Sequence, residues 1–144
     1  MPITRLTGSL ALLACPILVQ SGAAAVQEDP FVALVTNAQG SYTYVRRENI
    51  EALTDVSPSH CLLSLATSSK TMRAFQKCSS VLEKLQRHDF VTIPADFGNT
   101  YVAPEEIATM AWTGNSRCQI ALKSGKFVYA KQSCNEVHDG LLHE

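Results

Sequence analysis

With 144 residues, 46% of them hydrophobic and 17% charged, the chain has an ordinary globular composition, long enough for one shared core or two very small ones. A formal charge of -1, with neither basic patches nor acidic runs along the sequence, gives no electrostatic reason to expect nucleic acid or an anionic membrane surface as a partner.

Residues 1–25 read as an export signal. Arg5 supplies a short positive region, Leu10 to Val19 an apolar one, and Ser21-Gly22-Ala23-Ala24-Ala25 a run of small residues whose Ala23-x-Ala25 spacing suits cleavage after Ala25. The apolar run is interrupted by Pro16 and followed by Gln20, so it is too short for a transmembrane span, and no later segment approaches that length. A competing reading is a lipid anchor at Cys15, because Leu12-Leu13-Ala14-Cys15 is similar to the lipobox of bacterial lipoproteins. Leu13 is larger than the residue usual there, and Pro16-Ile17-Leu18-Val19 continues the apolar run where a polar tether is usual, so soluble export to the periplasm or medium is preferred. Residues 26–30 (Val-Gln-Glu-Asp-Pro) form a short linker.

Beyond the linker the sequence repeats. Copy one spans 31–88 and copy two 90–144. Phe31-Val32 returns as Phe90-Val91, Gly40 as Gly98, Thr43-Tyr44-Val45 as Thr100-Tyr101-Val102, Glu48 as Glu105 and Ile50 as Ile107. Cys61-Leu62-Leu63-Ser64-Leu65 returns as Cys118-Gln119-Ile120-Ala121-Leu122, and Cys78, Val81 and Leu85 as Cys134, Val137 and Leu141. So many matches in one order indicate a duplicated module.

Each copy opens with an apolar, β-rich stretch, Phe31 to Val35 or Phe90 to Ile93, and a Gly-containing turn leads to a second strand at Tyr42 to Val45 or Thr100 to Val102. The segments Arg46 to Asn49 and Ala103 to Glu106 suit a helical turn, which Pro104 can start because it has no amide hydrogen to leave unpaired. Third strands follow at Ile50 to Val56 and Ile107 to Trp112, then turns at Ser57-Pro58-Ser59 and Thr113 to Ser116. In copy two a turn at Ser124-Gly125 is expected to pair Leu122 with Phe127, Ile120 with Tyr129 and Cys118 with Lys131, placing Ile120, Leu122, Phe127 and Tyr129 on one face. Ser80-Val81-Leu82-Glu83 and Ser133-Cys134-Asn135-Glu136 both fit a capping box that would start the closing helix. The expected fold is α+β and β-rich, a tandem duplicate of a small strand-hairpin-helix module packed about a pseudo-two-fold axis. A monomer is expected, since one chain then does the work of a homodimer.

With Cys15 removed, four cysteines remain, one pair in each copy. Of the three possible pairings the repeat favours Cys61 with Cys78 and Cys118 with Cys134. Each closes a loop of about 17 residues, for which chain entropy gives roughly 3 kcal/mol. Such staples belong to an oxidising compartment, in keeping with export.

No strong catalytic pattern is present. The chain lacks a Gly-x-Ser-x-Gly elbow, a Cys-x-x-Cys redox pair and a phosphate loop. His60, His88, His138 and His143 read as surface residues; His138 and His143, five apart, do not share a helix face, so neither a metal nor a cofactor is expected. Tyr101 has an aromatic counterpart in Tyr44, whereas Trp112, Phe127 and Tyr129 have none, Val56, Met72 and Arg73 lying at or near their places. These four, Trp112, Phe127, Tyr129 and Tyr101, are the candidate ligand or partner surface, although filling the core of copy two is the more ordinary role for such residues.

The order strand, Pro104-Glu105-Glu106-Ile107, strand, Cys118-x-Ile120-x-Leu122-x-x-Gly125, strand, helix is similar to small β modules of LytTR-type DNA-binding domains and FlbD-like flagellar proteins. Those families work in the cytoplasm. The leader, the cysteine pairs and the absence of a basic stretch set this chain apart, and their function is not carried over. The expectation is an exported, non-enzymatic binding protein for an envelope protein or small ligand, with no nucleic acid as partner. Two alternatives are a secreted inhibitor or effector of an envelope enzyme, and a small secreted enzyme using Asp96, Glu105 or His138 between the copies.

Overall fold

A computed structural model describes residues 28–143. The leader, its cleavage point, the start of the linker and Cys15 lie outside the described residues. Copy one contains β1 (Phe31–Val35), β2 (Tyr42–Arg46), a 3-10 turn (Arg47–Asn49), β3 (Ile50–Ser57), β4 (His60–Leu65), β5 (Met72–Ala74) and α1 (Cys78–Leu85). Copy two repeats the series as β6 (Val91–Pro94), β7 (Asn99–Val102), a 3-10 turn (Pro104–Glu106), β8 (Ile107–Thr113), β9 (Arg117–Leu122), β10 (Phe127–Ala130) and α2 (Cys134–Leu142). The fold is α+β and strand-rich, with one disulfide in each half, consistent with a duplicated module.

The equivalence extends to irregularities. Both long strands shift register at the same point, between Ile50 and Ala52 in β3 and between Ile107 and Thr109 in β8. The amide of Ala66 donates to Asn49 O as that of Lys123 donates to Glu106 O, and Phe75 N reaches Val35 O as Lys131 N reaches Pro94 O.

The strands form three antiparallel sheets, ordered β1-β2, β10-β9-β8 and β5-β4-β3-β7-β6. The five-stranded sheet joins the copies, because β3 pairs with β7 in the register Ala52 opposite Val102, Leu53 opposite Tyr101 and Thr54 opposite Thr100. The contact between copies therefore uses two non-equivalent edges, a long strand of one and a hairpin strand of the other. Alternation along β3 divides its side chains between two cores. Leu53 enters a core with Leu34, Ile50, Leu63, Val81 and Leu85 beneath α1, while Ala52 joins Ile93, Val102, Ile120, Leu122 and Val137 beneath α2. Each large aliphatic side chain buried there contributes about 2 kcal/mol.

The disulfides are Cys61–Cys78 and Cys118–Cys134, with Cα atoms 4.8 and 4.7 Å apart. Each ties the central strand of its copy to the first residue of the closing helix. A helix of eight or nine residues is marginal alone, and the tether with the apolar stripe Val81 and Leu85, or Val137 and Leu141, holds it on the sheet.

Two sequence expectations are corrected. Phe127 pairs with Ala121, Val128 with Ile120, Tyr129 with Gln119 and Ala130 with Cys118, one residue out of the expected register. The loop holds three residues, Lys123 to Gly125: Leu122 N donates to Lys126 O at 2.8 Å and Gly125 takes the left-handed φ of +84°. Because side chains alternate, the slip sends Val128 and Ala130 into the core and turns Phe127 and Tyr129 outward. The second correction concerns α1, which begins at Cys78 with Lys77 as N-cap and no side-chain cap bond, so Ser80 lies inside the helix. Only α2 has the capping box, Ser133 Oγ accepting from Glu136 N at 3.3 Å and Glu136 Oε2 accepting from Ser133 N at 2.9 Å.

Candidate functional site

The slipped hairpin creates a groove where the copies meet. The second core covers only part of its face of the five-stranded sheet, and beyond it the half-buried Thr54 and Leu62, with Ser64 and Thr100 buried beside them, form the floor. Phe127 and Tyr129 of β10 stand along one side, and Phe97, in the turn between β6 and β7, closes the end; the volume of this open groove is about 430 Å³. Phe97, Phe127 and Tyr129 are all exposed.

Each wall residue is placed by local geometry. Phe97 rides on a turn made possible by Gly98 at φ +56°, where a Cβ would stand 2.5 Å from Asp55 Oδ2. That carboxylate accepts from Asn99 N at 2.9 Å, so Asp55 of copy one fixes the turn of copy two. Tyr129 OH accepts from Gln119 Nε2 at 3.2 Å, leaving its O–H able to donate outward. On the floor the hydroxyls of Thr54 and Thr100 lie 3.3 Å apart. At the rim Arg117 Nη1 meets Asp96 Oδ2 at 2.5 Å, an exposed pair that holds the Phe97 turn against β9. Aromatic faces over a floor of hydroxyls suit a ligand with apolar or planar groups and a few hydrogen-bonding atoms.

Of the four aromatics singled out in the sequence, Phe127 and Tyr129 share this groove. Trp112 stands on β8, away from it and strongly exposed, opposite Cys118, so its counterpart in copy one is Asp55 opposite Cys61, one residue from the Val56 expected. Tyr101 packs half-buried against the first core and borders a smaller depression with Pro58 and Phe97. None of Trp112, Phe127 and Tyr129 is in the core, which is filled by the aliphatic residues of the inward register. Phe97, Thr54, Ser64 and Thr100 were missed. Phe97 had one signal, an aromatic inside the otherwise polar turn Asp96-Phe97-Gly98-Asn99.

The carboxylates and histidine weighed as an enzyme site do not converge. Asp96 pairs with Arg117, Glu105 with Arg87 at 3.4 Å, and His138 with Asp139 at 3.5 Å. Among the described residues no group of three or more His, Cys, Asp or Glu is placed to hold a metal ion.

A second cluster lies at the opposite side of the seam. Arg87 donates from Nη1 to the carbonyls of Arg47 and Ile50, each at 3.0 Å, pairs with Asp89 at 2.5 Å and covers the ring of Phe90 at 4.5 Å. Its hydrogen bond holds the Asp89 carboxyl down at about 2, against the opposing effect of partial burial. Arg47 donates in turn to Lys84 O. Two guanidinium groups thus tie the 3-10 turn of copy one to the end of α1 through backbone carbonyls, with Arg87 also paired to Asp89 and Glu105.

No family model matches the chain, and no curated protein matches it. Among solved structures it is similar to the LytTr DNA-binding domain of a methyl-accepting/DNA response regulator from Bacillus cereus. The TM-score is 0.53 at 16% identity, over 81% of this chain and 99% of that one. The likeness establishes the fold. It also overturns the expectation that nucleic acid is excluded as a partner, since this architecture carries a DNA-binding domain elsewhere. The exclusion rested on net charge and on runs along the sequence, which average over the surface and leave local charge unread.

Two disulfides are consistent with an oxidising compartment, and among the described residues no helix is long and apolar enough to cross a membrane.

Proposed function

We propose that the chain is an exported, non-enzymatic binding protein of the bacterial periplasm or medium, whose ligand lies in the groove between Phe97, Phe127 and Tyr129. The ligand is a small molecule or a segment of another envelope protein, as it would also be if the chain acts as a secreted inhibitor or effector. The observation that carries this reading is the outward turn of Phe127 and Tyr129 over a hydroxyl floor that both copies build. The leader pattern of residues 1–25 and the two disulfides support export.

The fold likeness favours a second reading, in which the chain binds a nucleic acid through its backbone phosphates, with Arg47, Lys84 and Arg87 as the residues to watch. Titrating peptides, glycan fragments and a DNA duplex into the isotope-labelled protein, followed by NMR, separates the two. Shifts at Phe97, Phe127 and Tyr129, lost in Phe127→Ala, are expected. Salt-sensitive shifts confined to Arg47, Lys84 and Arg87 on adding duplex replace the first reading with the second. Expression with the native N-terminus tests export: a periplasmic chain beginning at Val26 is expected, and a cytoplasmic chain of full length overturns it.

A further inference from the structure

The two smaller sheets are the separated parts of another five-stranded one. In the joined sheet, the three strands β5-β4-β3 of copy one stand beside the hairpin β7-β6 of copy two. The same three-stranded unit recurs as β10-β9-β8 and the same hairpin as β2-β1, and among the described residues these do not pair with each other. Among the described residues no strand pairs with the outer edge of β8 or of β2.

Exposed edges in natural sheets are blunted by charge, proline or a covering segment, because unpaired amides and carbonyls invite another strand. These two edges carry little of this: their one charge is Arg46 at the end of β2, which lies over the Phe31 ring of β1. From Ala108 to Thr113 and from Tyr42 to Val45 there is neither a charge nor a proline. Both edges also carry the most exposed aromatic side chains of the described residues, Trp112 at 70%, Tyr44 at 69% and Tyr42 at 61%.

We propose that a second copy of this chain fills the edge: β8 of one chain pairs antiparallel with β2 of another, completing the sheet β10-β9-β8-β2-β1. The internal seam supplies the register. Ala52 opposite Val102, Leu53 opposite Tyr101 and Thr54 opposite Thr100 become Thr109 opposite Val45, Met110 opposite Tyr44 and Ala111 opposite Thr43, with Trp112 at the level of Tyr42. Such a contact is heterologous, so each chain offers one edge of each kind and the assembly grows head to tail or closes on itself. It is weaker than the internal seam, because Ala108 stands where copy one has Glu51, which grips copy two through Ser124 at 2.6 Å.

The test is sedimentation velocity of the purified chain over rising concentration, with the emission of Trp112, the one tryptophan of the sequence, followed in parallel. Growth in mass accompanied by a blue shift is expected. Ala111→Lys and Thr43→Glu, each on an exposed edge, should separately weaken association roughly tenfold or more, and their equimolar mixture should restore it through the facing charges. A chain that stays monomeric to about 1 mM, where even weak contacts populate, overturns the proposal. So does association that leaves Trp112 emission unchanged or is indifferent to both substitutions.

Discussion

Copy one and copy two share every element, every disulfide and the same strand irregularity, yet they differ where they meet solvent and each other. Copy one carries Glu51 and Asp55 on β3, and both reach into copy two, Glu51 to Ser124 and Lys126, Asp55 to the turn at Gly98 and Asn99. At the same places copy two carries Ala108 and Trp112 on an open edge. The ring of aromatics Phe97, Phe127 and Tyr129 belongs wholly to copy two, where copy one has Gln39, Thr71 and Arg73. The difference teaches a division of labour after duplication: one copy holds the pair together, and the other presents surfaces.

The largest expected effect separates the two staples. Replacing Cys61 and Cys78 by alanine should cost roughly 3 kcal/mol in chain entropy, with a further loss from packing because both are fully buried. The same change at Cys118 and Cys134 should cost less, since Cys134 is only partly covered. Chemical denaturation of the two variants measures the gap, and mild reductant should open Cys118–Cys134 first. Equal losses and simultaneous reduction would erase this distinction between the copies.

Next comes the seam. Glu51 is 1% exposed, and Lys126, which pairs with it at 3.7 Å, also donates to Leu65 O at 2.5 Å. Glu51→Ala should destabilise the chain by roughly 2–3 kcal/mol, because it leaves a covered ammonium without its carboxylate. Ala108→Glu, at the matching place on an open edge, should change monomer stability by less than about 0.5 kcal/mol. Thermal unfolding of the two variants reads both values.

What the sequence made legible was local or periodic. The duplication, the order of strands and helices, and the cysteine pairing follow from repeated spacing. The register of the β9-β10 hairpin did not, because a two-residue turn at Ser124-Gly125 and a three-residue loop ending at Gly125 use the same residues and differ by one position, which reverses both faces. The groove was half legible: Phe127 and Tyr129 stood out as unmatched aromatics, but their floor comes from Thr54 and Thr100, brought together only by pairing of strands from different copies. Ser80 failed as a cap because Ser-x-x-Glu is a pattern a helix interior also accommodates. The alignment of Cys78 with Cys134 already placed Lys77 beside Ser133.

A smaller effect is read through pH. The Asp89 carboxyl, held at about 2 by its hydrogen bond to Arg87, has a lower pKa folded than its ordinary value of 3.8. Its contribution to stability is therefore complete above about pH 4 and is lost as pH falls through about 2. The melting temperature should decline across that window more steeply in the natural chain than in Asp89→Asn or Arg87→Ala. Because Arg87 also clamps the carbonyls of Arg47 and Ile50, Arg87→Ala should lower the melting temperature at neutral pH as well, which Asp89→Asn should do less.

The smallest expected effect tests whether the helices differ only at their first residues. In α2 Ser133 satisfies an amide of the first turn, and its hydroxyl and amide bonds hold Glu136 below the ordinary carboxylate range. In α1 Lys77 occupies that position and offers no acceptor, and its ammonium sits at the positive end of the helix dipole. Ser133→Ala should thus cost about 1 kcal/mol, while Lys77→Ser should stabilise by a similar or smaller amount, since the backbone at Lys77 (φ -63°, ψ 144°) already matches that at Ser133 (φ -64°, ψ 157°). Opposite signs in the two denaturation midpoints would place the difference between the helices in one side chain each. A loss at Lys77→Ser would instead mean that the lysine stem covers apolar surface of copy one, and would make the cap of α1 a packing position.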